Sequence, residues 1–325
     1  MVRCALGILA AALLFELGLR PFVAGGKGAI RNYYEGVSVA HFEPDGLGTY
    51  GNRLTGNPPL AGAREGLILG DSHVIAQAVR DEETMGAVVE RDSRAAGHPL
   101  NVRQYGWSSA NAGTFLAAAD ALLKARNPAW VAVVLNADNI GIYALTTTQN
   151  WRMEVAPDDS VRLIDMRPSQ AVSRAHEFGR EIGRSTLALA LWRRFGQIRN
   201  RSNAEPPDPD LAREAAQEAA RVPRATVLGL KKAYGSRLVI VYVPYFEGTD
   251  YDSNDPVEQE VLELCAQNEV DCFSMRKALA LERYENFRLS RGFHNTAPGV
   301  GHFNSTGHRV IGTQIWNHLA WRSSR

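Results

Sequence analysis

One run of residues limits the fold more than any other in this sequence. Trp130–Leu135 is a continuous apolar stretch rich in valine, which is typical of a strand buried on both faces of a parallel sheet. Further strands are predicted at Leu67–Leu69, Asn101–Tyr105 and Leu238–Val243, and segments of ten or more residues with helical patterning separate them. This alternation predicts an α/β fold with a mostly parallel sheet and helices packed on it.

The remaining patterns predict one large domain over residues 63–325. Its length and an apolar content of 45% are sufficient for one full core. Residues 144–205 break the α/β rhythm and are predicted to be an insertion that covers the site, whereas residues 23–62 are predicted to be an irregular lead-in. One further strand is predicted at Asp271–Phe273. Helices are predicted at Thr84–Ala96, Ala110–Arg126, Leu211–Tyr234 with a break at Pro223, Pro256–Gln267 and Ser305–Trp321.

A serine and a histidine occupy the places that a hydrolytic site needs. Gly70-Asp71-Ser72 directly follows the strand Leu67–Leu69, which puts the Ser72 hydroxyl at the carboxyl edge of the sheet. His302 lies in the predicted loop before the last helix, and histidine has a pKa suited to removing a hydroxyl proton at neutral pH. We therefore predict that Ser72 is the nucleophile and His302 the base. The alternative for Ser72 is a helix N-cap, which is compatible with the first role.

Three other histidines lie in or near the same motifs and are expected to have other roles. His308 falls in the first turns of the last helix, where packing or capping is the expected role. His294 is in a loop and is either a substrate contact or a solvated residue. His73 follows the nucleophile directly and is predicted to line the pocket.

These residues resemble the motif blocks of the GDSL/SGNH hydrolases. Gly70-Asp71-Ser72-His73 matches the block of the nucleophile, Gly106 the second block, Asn136-Ala137-Asp138-Asn139 the asparagine block and His302 the histidine block. The resemblance covers the chain from about residue 47, including the lead-in Gly48–Arg53, to the end. It implies a three-layer α/β/α fold with a flavodoxin-like parallel sheet, and cleavage of acyl or acetyl esters through an acyl-serine.

The chain departs from the family pattern in two blocks. The family has Asp-x-x-His before the base, but Gly299 stands at the aspartate position. Three readings follow: a Ser-His dyad, which we favour; a carboxylate from elsewhere, such as Glu285 or Asp250; or an inactive protein. In the asparagine block an ungapped match puts Asp138 at the oxyanion position, and a shift of one residue puts Asn139 there.

The resemblance also implies the supporting residues of the site. We favour Asn139 as the side-chain donor of the oxyanion hole, together with the backbone N–H of Ser72 or Gly106. A plain turn glycine is the alternative for Gly106. The predicted substrate contacts are Asp71, His73, Trp107, Asp138 and His294.

Composition argues against several classes of protein. The chain has 36 basic and 35 acidic residues, so it lacks the positive surface typical of proteins that bind nucleic acid. It contains no H-E-x-x-H, no phosphate-binding loop and no metal-spaced cysteines, so no metal or cofactor is expected. A Cys265–Cys272 disulfide is compatible with a location outside the cytoplasm, and two free thiols are the simpler expectation.

The amino terminus has the pattern of a targeting segment. Arg3 precedes an apolar run that ends at Glu16, which is shorter than the ~20 residues needed to span a bilayer. An ordinary buried helix is the alternative. We expect residues 1–22 to be a signal peptide or a membrane anchor, so that the protein works outside the cytoplasm. Membrane association through this segment is compatible with that expectation.

Together these observations predict a serine esterase. Trp107, Trp151 and Tyr143 near the expected site favour an acylated glycan as substrate, and lipid esters stay open. An O-acetyltransferase could use the same two residues. The alternative from another class is a non-catalytic module for glycan binding or envelope assembly. Its support is Gly299, which stands where the family has the aspartate.

Overall fold

The computed structural model describes residues 40–141, 143–147, 151–166, 216–244, 254–293 and 299–323. Within them, seven strands form one sheet in the order β1-β2-β4-β3-β5-β8-β9, and β6 pairs with β7 in a separate hairpin. The strands are β1 (Phe42–Glu43), β2 (Asn52–Arg53), β3 (Arg64–Gly70), β4 (Leu100–Gly106), β5 (Trp130–Leu135), β6 (Trp151–Val155), β7 (Val161–Asp165), β8 (Leu238–Tyr242) and β9 (Cys272–Ser274).

Five strands of the large sheet are parallel, and β1 and β2 join it as an antiparallel edge. The register pairs Gly70 with Gly106 at the carboxyl ends of β3 and β4. Parallel strands end at the same edge, so the loops after β3, β4 and β5 converge there.

Helices cover both faces of this sheet. They are α1 (Ser72–Ile75), α2 (Met85–Ala95), α3 (Ala112–Arg126), α4 (Ala137–Ile140), α5 (Tyr143–Thr146), α6 (Val222–Tyr234), α7 (Pro256–Gln267), α8 (Arg276–Tyr284) and α9 (Ser305–Ser323). Alternate strand residues enter two separate cores: Leu67 and Leu69 pack with residues of α3, α6 and α7, whereas Ile68 packs with residues of α2, α8 and α9. This is the three-layer α/β/α arrangement that the sequence predicts.

The predicted elements agree closely with the observed ones in the sheet core. β5 and α7 have the predicted bounds, and β3, β4, β8, β9, α2, α3 and α9 differ from their predictions by one to three residues at an end. The described part of the predicted helix Leu211–Tyr234 contains α6, with Pro223 in its first turn, where the missing N–H leaves no hydrogen bond unmade.

Other elements were not predicted. The region 23–62 was expected to be irregular, yet it contributes β1 and β2 to the sheet. The described part of the predicted insertion 144–205 contains the end of α5 and the hairpin β6–β7, and α8 follows β9 where no helix was expected. Residues 167–215, and the predicted targeting segment 1–22, lie outside the described residues.

A buried arginine holds the lead-in on the domain. Arg53 is fully buried, and its guanidinium pairs with Asp81 and donates to the carbonyl of Val79 at 2.7 Å. It also donates to the carbonyls of Leu54 at 2.9 Å and of Ala76 at 3.5 Å. Arg53 therefore ties strand β2 to the loop that follows helix α1.

Two further expectations concern the thiols and the membrane. Cys265 and Cys272 are both free thiols in the structure, as the simpler expectation had it. Across the described ranges, every helix is too short or too polar to span a bilayer.

Candidate active site

A tight turn places Ser72 at the carboxyl edge of the sheet. Strand β3 ends at Gly70, Asp71 is the N-cap of helix α1, and Ser72 is the first residue of that helix. A Cβ on Gly70 would lie 2.2 Å from the Val74 side chain, so the strand can turn into the helix this sharply only with glycine at this position. The N-cap of helix α1, the alternative role considered for Ser72, is thus Asp71. The Ser72 hydroxyl is not needed as a cap.

His302 is within hydrogen-bond distance of this hydroxyl. Its Nε2 lies 2.7 Å from Ser72 Oγ, the separation required between a nucleophile and its base. The loop of the base is held by Gly292, whose N–H donates to the His302 carbonyl at 3.0 Å, and by Asn304, whose N–H donates to the Ser290 carbonyl at 3.1 Å. The fold therefore brings together two side chains that are 230 positions apart in the sequence.

His308 lies in a different environment. It is fully buried in helix α9, and its Nδ1 accepts the backbone N–H of Met85 at 3.3 Å, at the start of helix α2. The structure thus places His308 in the packing and capping position that its helical location predicts.

A buried carboxylate lies next to Ser72. Asp71 accepts the backbone N–H of His73 at 2.8 Å and the side-chain amides of Asn136 at 3.2 Å and Asn139 at 3.1 Å. Burial raises the pKa of Asp71, and these hydrogen bonds oppose the rise. Asp71 thereby connects the nucleophile turn to the amino end of helix α4.

This network changes the interpretation of Asn139. Its Nδ2 also donates to the Ala110 carbonyl at 2.9 Å, so both hydrogens of the amide are already bound. In this structure Asn139 braces Asp71, and donation to an oxyanion would require one of these bonds to break. Asp138, the residue of the ungapped match, is exposed in the first turn of α4.

Gly106 lies one residue from the turn in which the sequence analysis places it. It is the last residue of strand β4, not a turn residue. A Cβ there would lie 2.5 Å from the backbone nitrogen of Ile75 and 2.9 Å from the Asp71 carbonyl. Glycine at this position lets the nucleophile turn pack directly against β4, which is a structural reason for the residue.

The other predicted contacts are spread over several environments. Trp107 packs edge-on against Phe115 at a centroid distance of 6.1 Å, so its ring belongs to the core. The Tyr143 hydroxyl donates to the Ser109 carbonyl at 3.3 Å. His294 lies outside the described residues.

The backbone at residue 299 explains the glycine in the place of the family's aspartate. Gly299 has a φ of +75°, in the left-handed region that favours glycine, so an aspartate there would be strained. Of the two alternative acids, Glu285 is exposed at the end of helix α8 and Asp250 lies outside the described residues.

One residue near the base was missed by sequence analysis. The guanidinium of Arg291 lies 4.6 Å from the centre of the Phe303 ring, and its positive charge acts on His302, His73 and Asp71. Burial, and then the charge of Arg291, lower the pKa of His302 to about 4. Arg291 lies in no periodic pattern or motif, so only the folded loop reveals its position.

The lowered pKa of His302 leads to a prediction about pH. A histidine that acts as a general base works in its neutral form, so if His302 is the base, kcat/KM for ester hydrolysis should rise with pH through an inflection near 4. At pH 5 about 90% of the base is then neutral, against about 3% for a histidine with the ordinary pKa of ~6.5. We expect the rate at pH 5 to be within about twofold of that at pH 7.5.

The fold must be checked at each pH of this profile. Histidines with lowered pKa values favour the neutral state in the folded protein, so stability is lost as pH falls below about 6.5 and toward 4. Circular dichroism at each pH separates unfolding from titration of the base. An inflection between pH 6 and 7 with an intact fold would contradict the prediction.

No group of three or more histidine, cysteine, aspartate or glutamate side chains is arranged to hold a metal ion within the part of the chain that the structure describes. The described site is a hydroxyl, an imidazole and a buried carboxylate with two amides. Such groups are suited to proton transfer and nucleophilic attack.

Several solved structures of esterases and acylhydrolases are similar to the chain at low sequence identity. No protein-family model and no curated protein matches the chain. Among solved structures, it is similar to a lipase/acylhydrolase from Enterococcus faecalis, with 12% identity over 80% of this chain and 96% of that one and a TM-score of 0.44. A catalytic mutant of an acetylxylan esterase from Geobacillus stearothermophilus has 15% identity over 80% of this chain and 95% of that one, with a TM-score of 0.40.

A third similar structure is a two-domain esterase active on acetylated mannans. It has 11% identity and a TM-score of 0.43, and the match covers 81% of this chain and 50% of that chain. The chain's own strands and helices form a three-layer α/β/α fold with a mostly parallel sheet. With identities this low, the activity is inferred from the chain's own residues.

Proposed function

We propose that this protein is a serine-dependent ester hydrolase that forms an acyl-enzyme on Ser72. The observation that carries the proposal is the 2.7 Å separation between Ser72 Oγ and His302 Nε2 at the carboxyl edge of the sheet. A serine bound only as a cap would not require an imidazole at its oxygen, and here the cap is supplied by Asp71.

The reaction follows from these two groups. His302 Nε2 takes the proton of Ser72 Oγ as the oxygen attacks the ester carbonyl, and the resulting imidazolium protonates the departing alkoxide. His302 then takes a proton from water, whose oxygen attacks the acyl-serine, and Ser72 regains its proton as the acid is released. The backbone N–H of Ser72, which has no acceptor among the described residues, is our candidate donor to the oxyanion.

Hydrolysis of p-nitrophenyl acetate tests this function. We expect hydrolysis by the wild-type protein and labelling by a fluorophosphonate, and loss of both in Ser72→Ala, with at least about a 10³-fold decrease in kcat. Ser160→Ala, which changes an exposed serine in the β6–β7 turn, is the matched control and should behave as wild type.

The outcomes separate the candidate functions. The acetyltransferase would be favoured if Ser72 is labelled, acetate is not released to water, and unlabelled protein moves the acetyl group of p-nitrophenyl acetate to an added sugar hydroxyl with release of p-nitrophenol. Labelling that persists undiminished in Ser72→Ala would refute the nucleophile, and neither hydrolysis nor labelling in a folded wild-type protein would favour the binding module.

We further propose that the substrates are acyl or acetyl esters outside the cytoplasm, with glycan esters preferred. Support comes from the sequence of residues 1–22, in which Arg3 precedes the apolar run. Fusing this segment to a reporter that is active only after export should give a signal, and the same segment with the apolar run replaced by polar residues should not. A silent fusion that is stably expressed would contradict the proposed location.

A further inference from the structure

The residues that follow the nucleophile and the base also contact each other. Ser72 Oγ lies 2.7 Å from His302 Nε2, and the backbone N–H of Phe303 donates to His73 Nδ1 at 3.3 Å. In both pairs the partners are 230 positions apart in the sequence. Two consecutive hydrogen bonds therefore join the nucleophile turn to the loop of the base.

The His73 ring adds packing to this connection. Its centre lies 4.6 Å from that of His302, with an angle of 38° between the rings, and 4.5 Å from that of Phe303, with an angle of 46°. Because Nδ1 accepts a hydrogen bond, the assigned form of His73 is the neutral ring protonated at Nε2. Burial, and then the charges of Arg291, His302 and His308, hold the pKa of His73 well below its usual value.

Hydrogen bonds of Gly292 and Asn304 hold the loop at His302 and after it, whereas the described residues just before His302 include two glycines. Gly299 and Gly301 have φ values of +75° and +103°, and glycine gives a chain its greatest conformational freedom. Gly299 also replaces the aspartate that the family pattern has three residues before the base. The contacts of Phe303, between the His73 ring and the Arg291 guanidinium, restrain the loop immediately after His302.

We propose that His73 is a positioning residue for the base. It holds the His302 loop by accepting the Phe303 N–H, and its ring supports the imidazole that faces Ser72. This inference rests on the proposed function and assigns His73 a role other than the substrate contact that its sequence position suggests.

Three variants separate the hydrogen bond from the ring. His73→Asn keeps an acceptor for the Phe303 N–H and loses the ring, His73→Phe keeps a ring and loses the acceptor, and His73→Ala loses both. The matched control is His318→Ala, because the His318 ring stacks on Phe273 at 4.6 Å and is bound to Asp271, in a part of the fold formed by β9 and α9.

We expect His73→Ala to lower kcat for p-nitrophenyl acetate by about 10–100-fold, since a displacement of about 1 Å at a reacting group has an effect of this size. KM should change by less than about threefold, and His73→Asn and His73→Phe should each retain part of the lost rate. Water admitted beside His302 should also raise the inflection of the pH profile. His318→Ala should lower the melting temperature and leave kcat within about twofold of wild type.

Exchange of the Phe303 amide proton provides a readout that does not require activity. It should be faster in His73→Ala and His73→Phe than in wild type and His73→Asn. Equal exchange rates in all four proteins, or a kcat and pH inflection unchanged in folded His73→Ala, would overturn the proposal. If wild type neither hydrolyses esters nor reacts with a fluorophosphonate, the proposed function fails, and the exchange rates still decide whether His73 holds the loop.

Discussion

Replacing His302 with alanine is expected to lower kcat for ester hydrolysis by at least about 10³-fold, because no base then remains at Ser72 Oγ. Replacing His308 with alanine should instead remove a buried ring and the acceptor of the Met85 N–H, at a cost of about 2–4 kcal/mol in the free energy of unfolding. The activity of folded His308→Ala should remain close to that of wild type.

Measurement of kcat per folded molecule distinguishes these two effects. Circular dichroism gives the folded fraction, and urea denaturation gives the free energy of unfolding for each variant. The pair is well matched, since both residues are histidines whose pKa values are lowered by burial first. Equal losses of activity, with both variants equally folded, would refute the assignment of His302 as the base.

Replacing Arg53 with methionine is expected to lower the free energy of unfolding by about 3–5 kcal/mol. The apolar side chain leaves Asp81 without its buried cation and leaves the carbonyls of Val79 and Leu54 without their donor. Burial tends to raise the pKa of Asp81, but hydrogen bonds from Arg53 and His41 bring it below its ordinary value, so the carboxylate stays charged and needs this partner.

Arg103→Met is the matched control for this prediction. Arg103 is an arginine on the neighbouring strand β4, paired with Glu65 at 3.1 Å and with Glu43, and its side chain is 24% exposed. Partly exposed ion pairs of this kind contribute about 0–1 kcal/mol, so this variant should unfold at nearly the wild-type urea concentration. Equal destabilisation by the two substitutions would show that the buried position of Arg53 has no special importance.

The parts of the fold that could be predicted are those whose patterns are local. Strand β5 is apolar throughout because both its faces are buried, and helix α7 begins at a capping aspartate followed by proline. By contrast, β1 and β2 are two residues long, and β2 joins the sheet by pairing Arg53 with Gln104 of β4, which lies far along the sequence. Such pairing leaves no periodic signal in so short a segment.

The candidate site divides in the same way. Ser72 could be placed because it directly follows a predicted strand, and parallel strands end at one edge of the sheet. His302 could be placed because it precedes the residues predicted to cap the last helix. Gly106 and Asn139 were assigned by their order in the chain, and order does not say where an amide points. In the folded protein the Asn139 amide is bound to Asp71 and Ala110, and Gly106 accommodates Ile75.

The sequence by itself therefore determined the class of fold, the place of Ser72 at the carboxyl edge of the sheet and the separation of His302 from His308, because hydrophobic periodicity and capping act over a few residues. Only the tertiary structure decided which groups surround the base. The segment after α8 pairs with the loop before α9, and this pairing brings Arg291, His73 and Phe303 to His302. The pKa of His302 is then set by burial and by the charge of Arg291, which are its neighbours only in the folded chain.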